Sequence, residues 1–500
     1  MPSDGPDAEV PLPARNRHRA LFRAIERRKN PPLRRTDITV TDEAAVKRAV
    51  KAASLGNGME WFDFGIYSYL ASTIGHVFFP SGSDTAQLLS SFATFAVAFL
   101  VRPLGGMFFG PMGDKVGRKK VLAVTMIMMA VGTFAIGLIP SYASIGFWAP
   151  VLLIFFRLVQ GFSTGGEYGG ASTFLAEYAP DKRRGFFGSF LELGTLGGYV
   201  GAAGLVTALT AILGDATMED WGWRVPFLVA GPFGLIGLYL RMRLDETPAF
   251  KKLEDSSTHR ASEGASAVET TVTGDLKRIF SEQLSRLILC ICLVGAYNIV
   301  NYMLLSYMPT YLSDEMGYEE SHGLLLLIAT MVVLMLIINQ VGRLSDHFGR
   351  KPLLTVGMLG FLVLSAPAFL LVQQGSVVAV LGGMMMLGLS LVCLLGTMSA
   401  ALPALFPTQV RYGGLAVGYN LSASLFGGTT PLVVTAMISV TGTDMFPAYY
   451  AMGASLIGLI SVALMKETAQ KPLEGSPPSV ETPQEAAEIV ETQVHQPPKF

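Results

Sequence analysis

Twelve long apolar runs, interrupted by few charges, restrict this 500-residue chain to one kind of structure. They cover residues 53–79, 88–112, 121–139, 147–171, 185–213, 225–240, 287–312, 324–341, 353–372, 377–402, 414–440 and 446–464. Runs of this length match a hydrocarbon layer roughly 30 Å thick, crossed by a helix that rises about 1.5 Å per residue. Backbone N–H and C=O groups in lipid must pair within the segment, and the runs are continuous rather than alternating, so helices are required. Composition agrees. Only 15% of residues are charged, against roughly 25% in an ordinary soluble domain. The fold class expected is therefore an all-α membrane protein of twelve transmembrane helices. Cys290, Cys292 and Cys393 all lie inside apolar runs and read as small core residues, with no metal-ligand pattern around them.

Residues 1–50 carry many Arg and Lys but no apolar core, so they read as a cytoplasmic basic arm rather than a signal peptide or a span. Counting from an N-terminus placed inside, the inward connectors hold Lys115, Arg118, Lys119, Lys120, Lys182, Arg183, Arg184, Arg343, Arg350, Lys351 and Arg411. Outward connectors at 80–86, 140–146, 313–321 and 373–376 contain no Lys or Arg. This asymmetry places both termini in the cytoplasm. A stretch rich in Ser, Thr, Glu and Ala then separates the runs into two sets of six. The expected organisation is an arm at 1–50, a six-helix bundle at 51–244, a cytoplasmic linker at 245–284, a second bundle at 285–466 and a short, mostly disordered tail at 467–500.

The two sets are related. Gly110, Gly113, Asp114, Lys115, Gly117, Arg118, Lys119 and Lys120 punctuate the connector between the second and third runs. Gly342, Asp346, Gly349, Arg350 and Lys351 repeat the pattern between the eighth and ninth. Pro180 with Arg184, and Pro407 with Arg411, form a second repeat just past the fourth and tenth runs. Here the chain resembles the major facilitator superfamily, whose loop between helices two and three has this G-x-x-x-D-K/R-x-G-R-K/R form. The resemblance implies two pseudo-symmetric six-helix bundles, with Asp114, Arg118, Arg184, Asp346, Arg350 and Arg411 as inward-side gating residues, Asp114 acting with Arg118 and Asp346 with Arg350.

Ionisable groups inside apolar runs cost at least ~2.5 kcal/mol each at a helix centre and mark function. The first run holds Glu60 and Asp63, three apart and so on one helix face. Two carboxylates held together at low dielectric cannot both stay ionised easily, which suits a proton that is carried and released. The plain alternative is that one of them pairs with Arg102 of the second run. Arg157 lies about 10 residues, or ~15 Å, into the fourth run, where its fork of donors suits a carboxylate. Glu167 and Glu192 complete the expected proton-coupling set of Glu60, Asp63, Arg102, Arg157, Glu167 and Glu192. The R-x-x-Q-G-x-x-x-G-G pattern beginning at Arg157 resembles the superfamily's fourth-helix motif, in which the arginine is linked to proton coupling; its glycines read as close-packing sites. The second half instead offers neutral Tyr297, Asn298, Asn301, Tyr302, Tyr307, Tyr419 and Asn420. For solute binding we expect Asn57, Trp61, Tyr67, Arg157, Asn298, Asn301 and Tyr302, the aromatic rings suiting a cationic nitrogen.

At finer grain the chain resembles the metabolite:proton symporter branch, and most of all its bacterial proline/betaine (osmoprotectant) transporters. The residues that carry this include Leu55 to Phe64, Arg102 to Gly106, Gly165 to Tyr168, Asp220 to Pro226, Glu246 to Phe250, Tyr302 to Tyr311, Pro447 to Tyr450 and Met465 to Thr468. The resemblance implies an inner-membrane symporter importing proline or glycine betaine with protons, with raised activity under hyperosmotic conditions. The runner-up is a proton symporter of an organic anion such as 2-oxoglutarate, citrate or shikimate. Some family members end in a long heptad tail that pairs as a coiled coil; here one brief helix candidate at 484–490 is too short for the three or four heptads needed. No HExxH, GxSxG, phosphate-loop or haem signature is present, so an enzyme is disfavoured, and no output domain supports a sensor. The partners expected are a proton, a small zwitterionic solute and the lipid bilayer, with no cofactor, no metal and no nucleic acid; a monomer is the simplest assembly.

Overall fold

A computed structural model describes residues 33–80, 83–116, 118–242, 279–408 and 410–495; among these, side chains at 36, 110–111, 113–120, 122, 237–242, 320 and 493–495 lie outside the description. The expected linker therefore falls largely outside the described residues, as does most of the N-terminal arm. So do the side chains of Asp114 and Arg118.

The first half contributes α1 (Glu43–Tyr69, continued by Ala71–Phe78), α2 (Asp84–Val116), α3 (Arg118–Leu138), α4 (Trp148–Thr164, continued by Glu167–Tyr178), α5 (Arg184–Leu213) and α6 (Arg224–Met242). The second contributes α7 (Leu284–Tyr302), α8 (Glu320–Phe348), α9 (Arg350–Val372), α10 (Val377–Ala401), α11 (Arg411–Ser422, continued by Thr430–Thr441) and α12 (Phe446–Leu464). Among the described residues nine helices are long and apolar enough to cross a membrane. The apolar parts of α3 and α6 are shorter, Ala123–Leu138 and Arg224–Ile236. The remaining helix, α1, carries Glu60 and Asp63 in its middle, and its first turns are charged and polar. It starts at Glu43, before the apolar run begins, because Asp42 caps it by accepting from Ala44 N at 3.0 Å.

Helix ends follow local chemistry. Gly349, at φ +106°, turns the chain from α8 into α9, a conformation open to glycine at no steric cost. α7 runs on through two π turns, Met303–Tyr307 and Tyr311–Glu315, and α11 contains a third, Ala423–Gly427. Such turns are frequent at functional sites.

With no hydrophobic force between helices in lipid, close packing at small residues sets the crossings. α2 and α4 touch backbone to backbone, since a Cβ on Gly161 would overlap the carbonyl of Ala98. α1 and α5 meet in the same way at Gly194 and Gly198. The two halves join where α5 packs on α8 and α10, and where α2 packs on α11.

Lys182, Arg183, Arg184, Arg343, Arg350, Lys351 and Arg411 gather at one end, the basic end. Asp84, Glu219 and Asp314 lie at the other, around His76, whose ring nitrogens are 3.9 Å from Asp84 and 3.7 Å from Glu219. Composition led us to expect a mostly disordered tail, yet residues 467–495 lie against the basic end. There β2 (Ser479–Val480) pairs in parallel with β1 (Thr39–Val40), and α13 (Pro483–His495) packs its Ala486 against Ile38 and Val480, with Ile489 and Val490 partly buried beside them. The Pro and Gly content that resembled disorder instead supplies turns, and the missing apolar core is provided by the N-terminal segment. At 13 residues, α13 packs on its own chain.

Candidate functional site

α1 holds Glu60 and Asp63 on one face, but the two carboxylates separate to different partners. Glu60 forms a buried ion pair with Arg102 of α2. Asp63 Oδ2 lies 2.8 Å from Thr133 Oγ1 of α3, to which Gln160 Nε2 of α4 donates at 2.6 Å. Gln160 Oε1 in turn accepts from Arg157 Nη1 at 3.0 Å. Arg157 was expected to face a cavity or an acid. It reaches Asp63 only through Gln160 and Thr133, while its guanidinium lies 4.1 Å above the Tyr67 ring and Nη2 donates to Phe95 O at 3.3 Å. Aromatic faces from α1 and α2 thus supply most of the environment for this buried cation. Thr133 and Tyr199 escaped the sequence reading; an isolated hydroxyl in an apolar run was their only signal.

The other expected coupling residues sit apart from this chain. Glu167 accepts from Thr125 Oγ1 at 3.0 Å. Glu192 of α5 accepts from Tyr168 at 2.6 Å and Thr195 at 3.0 Å, and Tyr168 stacks on Tyr419 of α11 with ring centroids 3.9 Å apart. These contacts carry Glu192 to the boundary between the halves.

Among the expected solute residues, Asn57 donates to Leu191 O at 2.9 Å and to Thr195 at 2.6 Å, tying α1 to α5. Tyr67 is engaged by Arg157 and donates to Ser91 O at 3.1 Å. Trp61 and Tyr302 converge. Trp61 lies 5.4 Å from Tyr199 and 5.6 Å from Tyr302, ring centroid to ring centroid, so α1, α5 and α7 form an aromatic box across the two halves. Arg102 lies beside it, with its guanidinium 5.2 Å from the centroid of Phe99, which itself contacts Tyr302. Buried polar atoms are normally paired. Here Trp61 Nε1, the Tyr199 and Tyr302 hydroxyls, both amide atoms of Asn298, Asn301 Oδ1, and Arg102 Nε and Nη1 have no hydrogen-bond partner of good geometry. Those of Trp61, Tyr199, Tyr302 and Arg102 surround the aromatic faces, and Asn298 and Asn301 lie on the same helix as Tyr302.

Contacts between the halves close both sides of the box. Towards the acidic end, Ser68 donates to Ser306 O at 2.9 Å and Tyr69 to Leu305 O at 2.8 Å. Towards the basic end, Ser172 donates to Ser399 O at 2.9 Å and Arg411 pairs with Glu177 at 2.9 Å. Asp346 of α8 accepts from the first N–H groups of α5, Gly185 at 2.7 Å and Phe186 at 2.8 Å, where unpaired donors and the helix dipole favour an anion. Arg350, expected to act with Asp346 in gating, donates from Nη1 to Thr468 at 2.7 Å. Arg184 pairs with Asp181 and donates to Ala176 O at 3.0 Å.

Comparison with known proteins adds identity to this geometry. Residues 49–478 match the family model described as sugar (and other) transporter. The chain is 46% identical over 466 residues to the proline/betaine transporter of Escherichia coli K12, covering 93% of this chain and 92% of that protein. It is 44% identical to the ectoine/proline transporter ProP of Corynebacterium glutamicum, covering 95% of each. Among solved structures, that of the proton:xylose symporter XylE of the major facilitator superfamily, bound to 6-bromo-6-deoxy-D-glucose, superposes with a TM-score of 0.70 at 19% identity, covering 86% of this chain and 98% of that one. The chain belongs to the sugar (and other) transporter family: it is a multi-pass membrane transporter, not an enzyme, with the twelve-helix major facilitator fold.

Proposed function

We propose that this transporter is a proton symporter of proline, glycine betaine or a similar zwitterion, working by alternating access, with both termini in the cytoplasm. The aromatic box beside the Glu60–Arg102 pair carries this reading, and the names of its relatives support it. A zwitterion needs an aromatic surface for its cationic nitrogen and a cation for its carboxylate. Trp61, Tyr199 and Tyr302 supply the first, Arg102 the second, and Asn298 and Asn301 flank them on α7.

Coupling then follows from competition. While Glu60 is ionised it occupies Arg102. A proton on Glu60 neutralises the acid and frees the guanidinium for the solute carboxylate, so proton and solute bind together, and their joint entry adds one positive charge to the site because the zwitterion itself carries none. Asp63, held to Arg157 through Thr133 and Gln160, is placed to pass the proton on, and Glu167 and Glu192 supply further acids nearer the basic end. Release there requires the contacts of Asp346, Arg184, Arg350 and Arg411 to part. The abundance of Lys and Arg at that end supports a cytoplasmic assignment.

Uptake of radiolabelled glycine betaine and 2-oxoglutarate into proteoliposomes, with and without an inward proton gradient and at two osmolalities, tests this. Betaine accumulation that collapses with a protonophore is expected. Accumulation of 2-oxoglutarate alone would refute the zwitterion assignment, and gradient-independent betaine uptake would refute the symport.

A further inference from the structure

We propose that Glu192, caged by Tyr168, Tyr297 and Tyr419, is a second station for the solute's cationic nitrogen, one step nearer the basic end than the aromatic box. The proposal rests on the zwitterion reading above and extends it to the release side.

Glu192 is a buried acid whose partners are all neutral. It is 1% exposed. Its oxygens accept from Tyr168 at 2.6 Å and Thr195 at 3.0 Å, and the Tyr297 hydroxyl lies 3.5 Å away. Other acids of the first half meet cations. Glu60 pairs with Arg102, Asp181 with Arg184 and Glu177 with Arg411, and Asp63 is linked to Arg157 through Thr133 and Gln160. Among the described residues no ion pair reaches Glu192, although a buried charge is costly unless it is paired. A cation that arrives with the solute completes it.

The surroundings select the kind of cation. Tyr168 and Tyr419 stack with ring centroids 3.9 Å apart and planes within 9° of parallel. Tyr168 belongs to the first half, Tyr297 and Tyr419 to the second, so the cage is built across the boundary between the halves. A quaternary ammonium has no N–H to donate and is held by charge and by ring faces. A carboxylate among three phenol rings supplies both. A solute carboxylate would meet a like charge there, so the station takes the nitrogen end alone.

Helix geometry fixes its place on the path. α5 begins at the basic end with Arg184, and Tyr199 of the box follows Glu192 on the same helix. The separation from Glu192 to Tyr199 is about two turns, which puts both side chains on one face of α5 and Glu192 roughly 10 Å nearer the basic end. α7 repeats the relation: Tyr297 precedes Tyr302, and the helix starts at the same end, where Arg286 pairs with Glu474. The Tyr168–Tyr419 stack closes the station here. Because its two rings belong to opposite halves, parting of the halves at the basic end separates them, and the nitrogen then passes from the box to Glu192 along α5.

Glu192→Gln keeps the size of the side chain and removes its charge. Betaine counterflow in membrane vesicles of both orientations presents the solute to the acidic end or to the basic end. The variant is expected to raise the apparent KM about tenfold from the basic end and less than about twofold from the acidic end, as loss of a charged partner in a desolvated site implies. Glu192→Asp, which keeps the charge, is expected to restore most of the affinity. An unchanged KM from the basic end overturns the proposal, as does an equal rise from both ends. Loss of proton-driven accumulation with both KM values unchanged would assign the acid to the proton and overturn it too. The wild-type chain supplies a test that does not depend on folding of a variant. Tetramethylammonium, a cation without a carboxylate, is expected to inhibit betaine counterflow several-fold more strongly from the basic end, because the box sets Arg102 beside its rings and Glu192 has no such neighbour. Equal inhibition from both ends, or none from the basic end, overturns the proposal. Absence of betaine counterflow in the unmodified protein would refute the proposed transport reading instead, so the two failures are distinguishable.

Discussion

Replacing Glu60 with Gln removes one charge from a pair whose side chains are 2% and 1% exposed. An exposed ion pair contributes ~0–1 kcal/mol. Here Arg102 would remain charged and buried, and breaking such a pair from one side costs about 3–5 kcal/mol. Arg102 Nε and Nη1 already lack protein acceptors, so the loss of Glu60 falls on a side chain with little in reserve. At about 2–4 °C per kcal/mol for a cooperative unit the size of one six-helix half, Glu60→Gln should melt roughly 6–20 °C lower in detergent. The double variant Glu60→Gln/Arg102→Gln leaves neither charge stranded and should recover most of that loss. Both variants should lose proton-driven accumulation, since the double variant restores stability without restoring a titratable pair. Thermal melts read beside proteoliposome uptake separate the two roles. A Glu60→Gln protein that melts within 2 °C of the wild type and still accumulates solute against a gradient would refute both the energetic and the coupling arguments.

Two further expectations concern packing and pH. Gly161→Leu should block the α2–α4 crossing and cost at least the ~1–3 kcal/mol of core overpacking, whereas Gly204→Leu, where a Cβ meets nothing within 4 Å, should be tolerated; yield and melting temperature check both, and equal behaviour would count against the crossing. Burial raises the Glu467 carboxyl, but the N–H groups of Ala469, Arg350, Lys351 and Thr468 outweigh it and hold the acid below its usual 4.5. A depressed pKa gives stability that is present above the unfolded value and lost as pH falls through the folded one. Glu467→Gln should therefore melt lower than the wild type at pH 7, with the gap closing as pH falls below 4.5 and through the depressed folded-state pKa; a gap independent of pH would show that the charge contributes nothing.

Much of this was legible in the chain. Twelve apolar runs and the alternation of basic and non-basic loops follow from hydrocarbon thickness and the cost of burying charge, which act on each segment locally. Glu60, Asp63, Arg102 and Arg157 could be singled out for the same reason, each being an expensive residue in its own run. Gly161 and Gly165 likewise read as packing sites before any partner was known.

Partner choice was not legible, because it depends on how helices far apart in sequence rotate and cross. Only the assembled bundle separates Glu60 from Asp63, gives Arg157 the ring of Tyr67 in place of a carboxylate, and turns Asp346 towards the N-terminus of α5. The tail illustrates the limit most clearly. Its own sequence has too few apolar residues to build a core and reads as disordered. Its order comes from Ile38 and Thr39, some 440 residues earlier, and from cations on both halves that tertiary structure alone brings together. The sequence by itself determined that this is a twelve-helix membrane protein with costly charges in its first half; tertiary structure decided which charges meet, because pairing energy depends on distance and burial that no single segment contains.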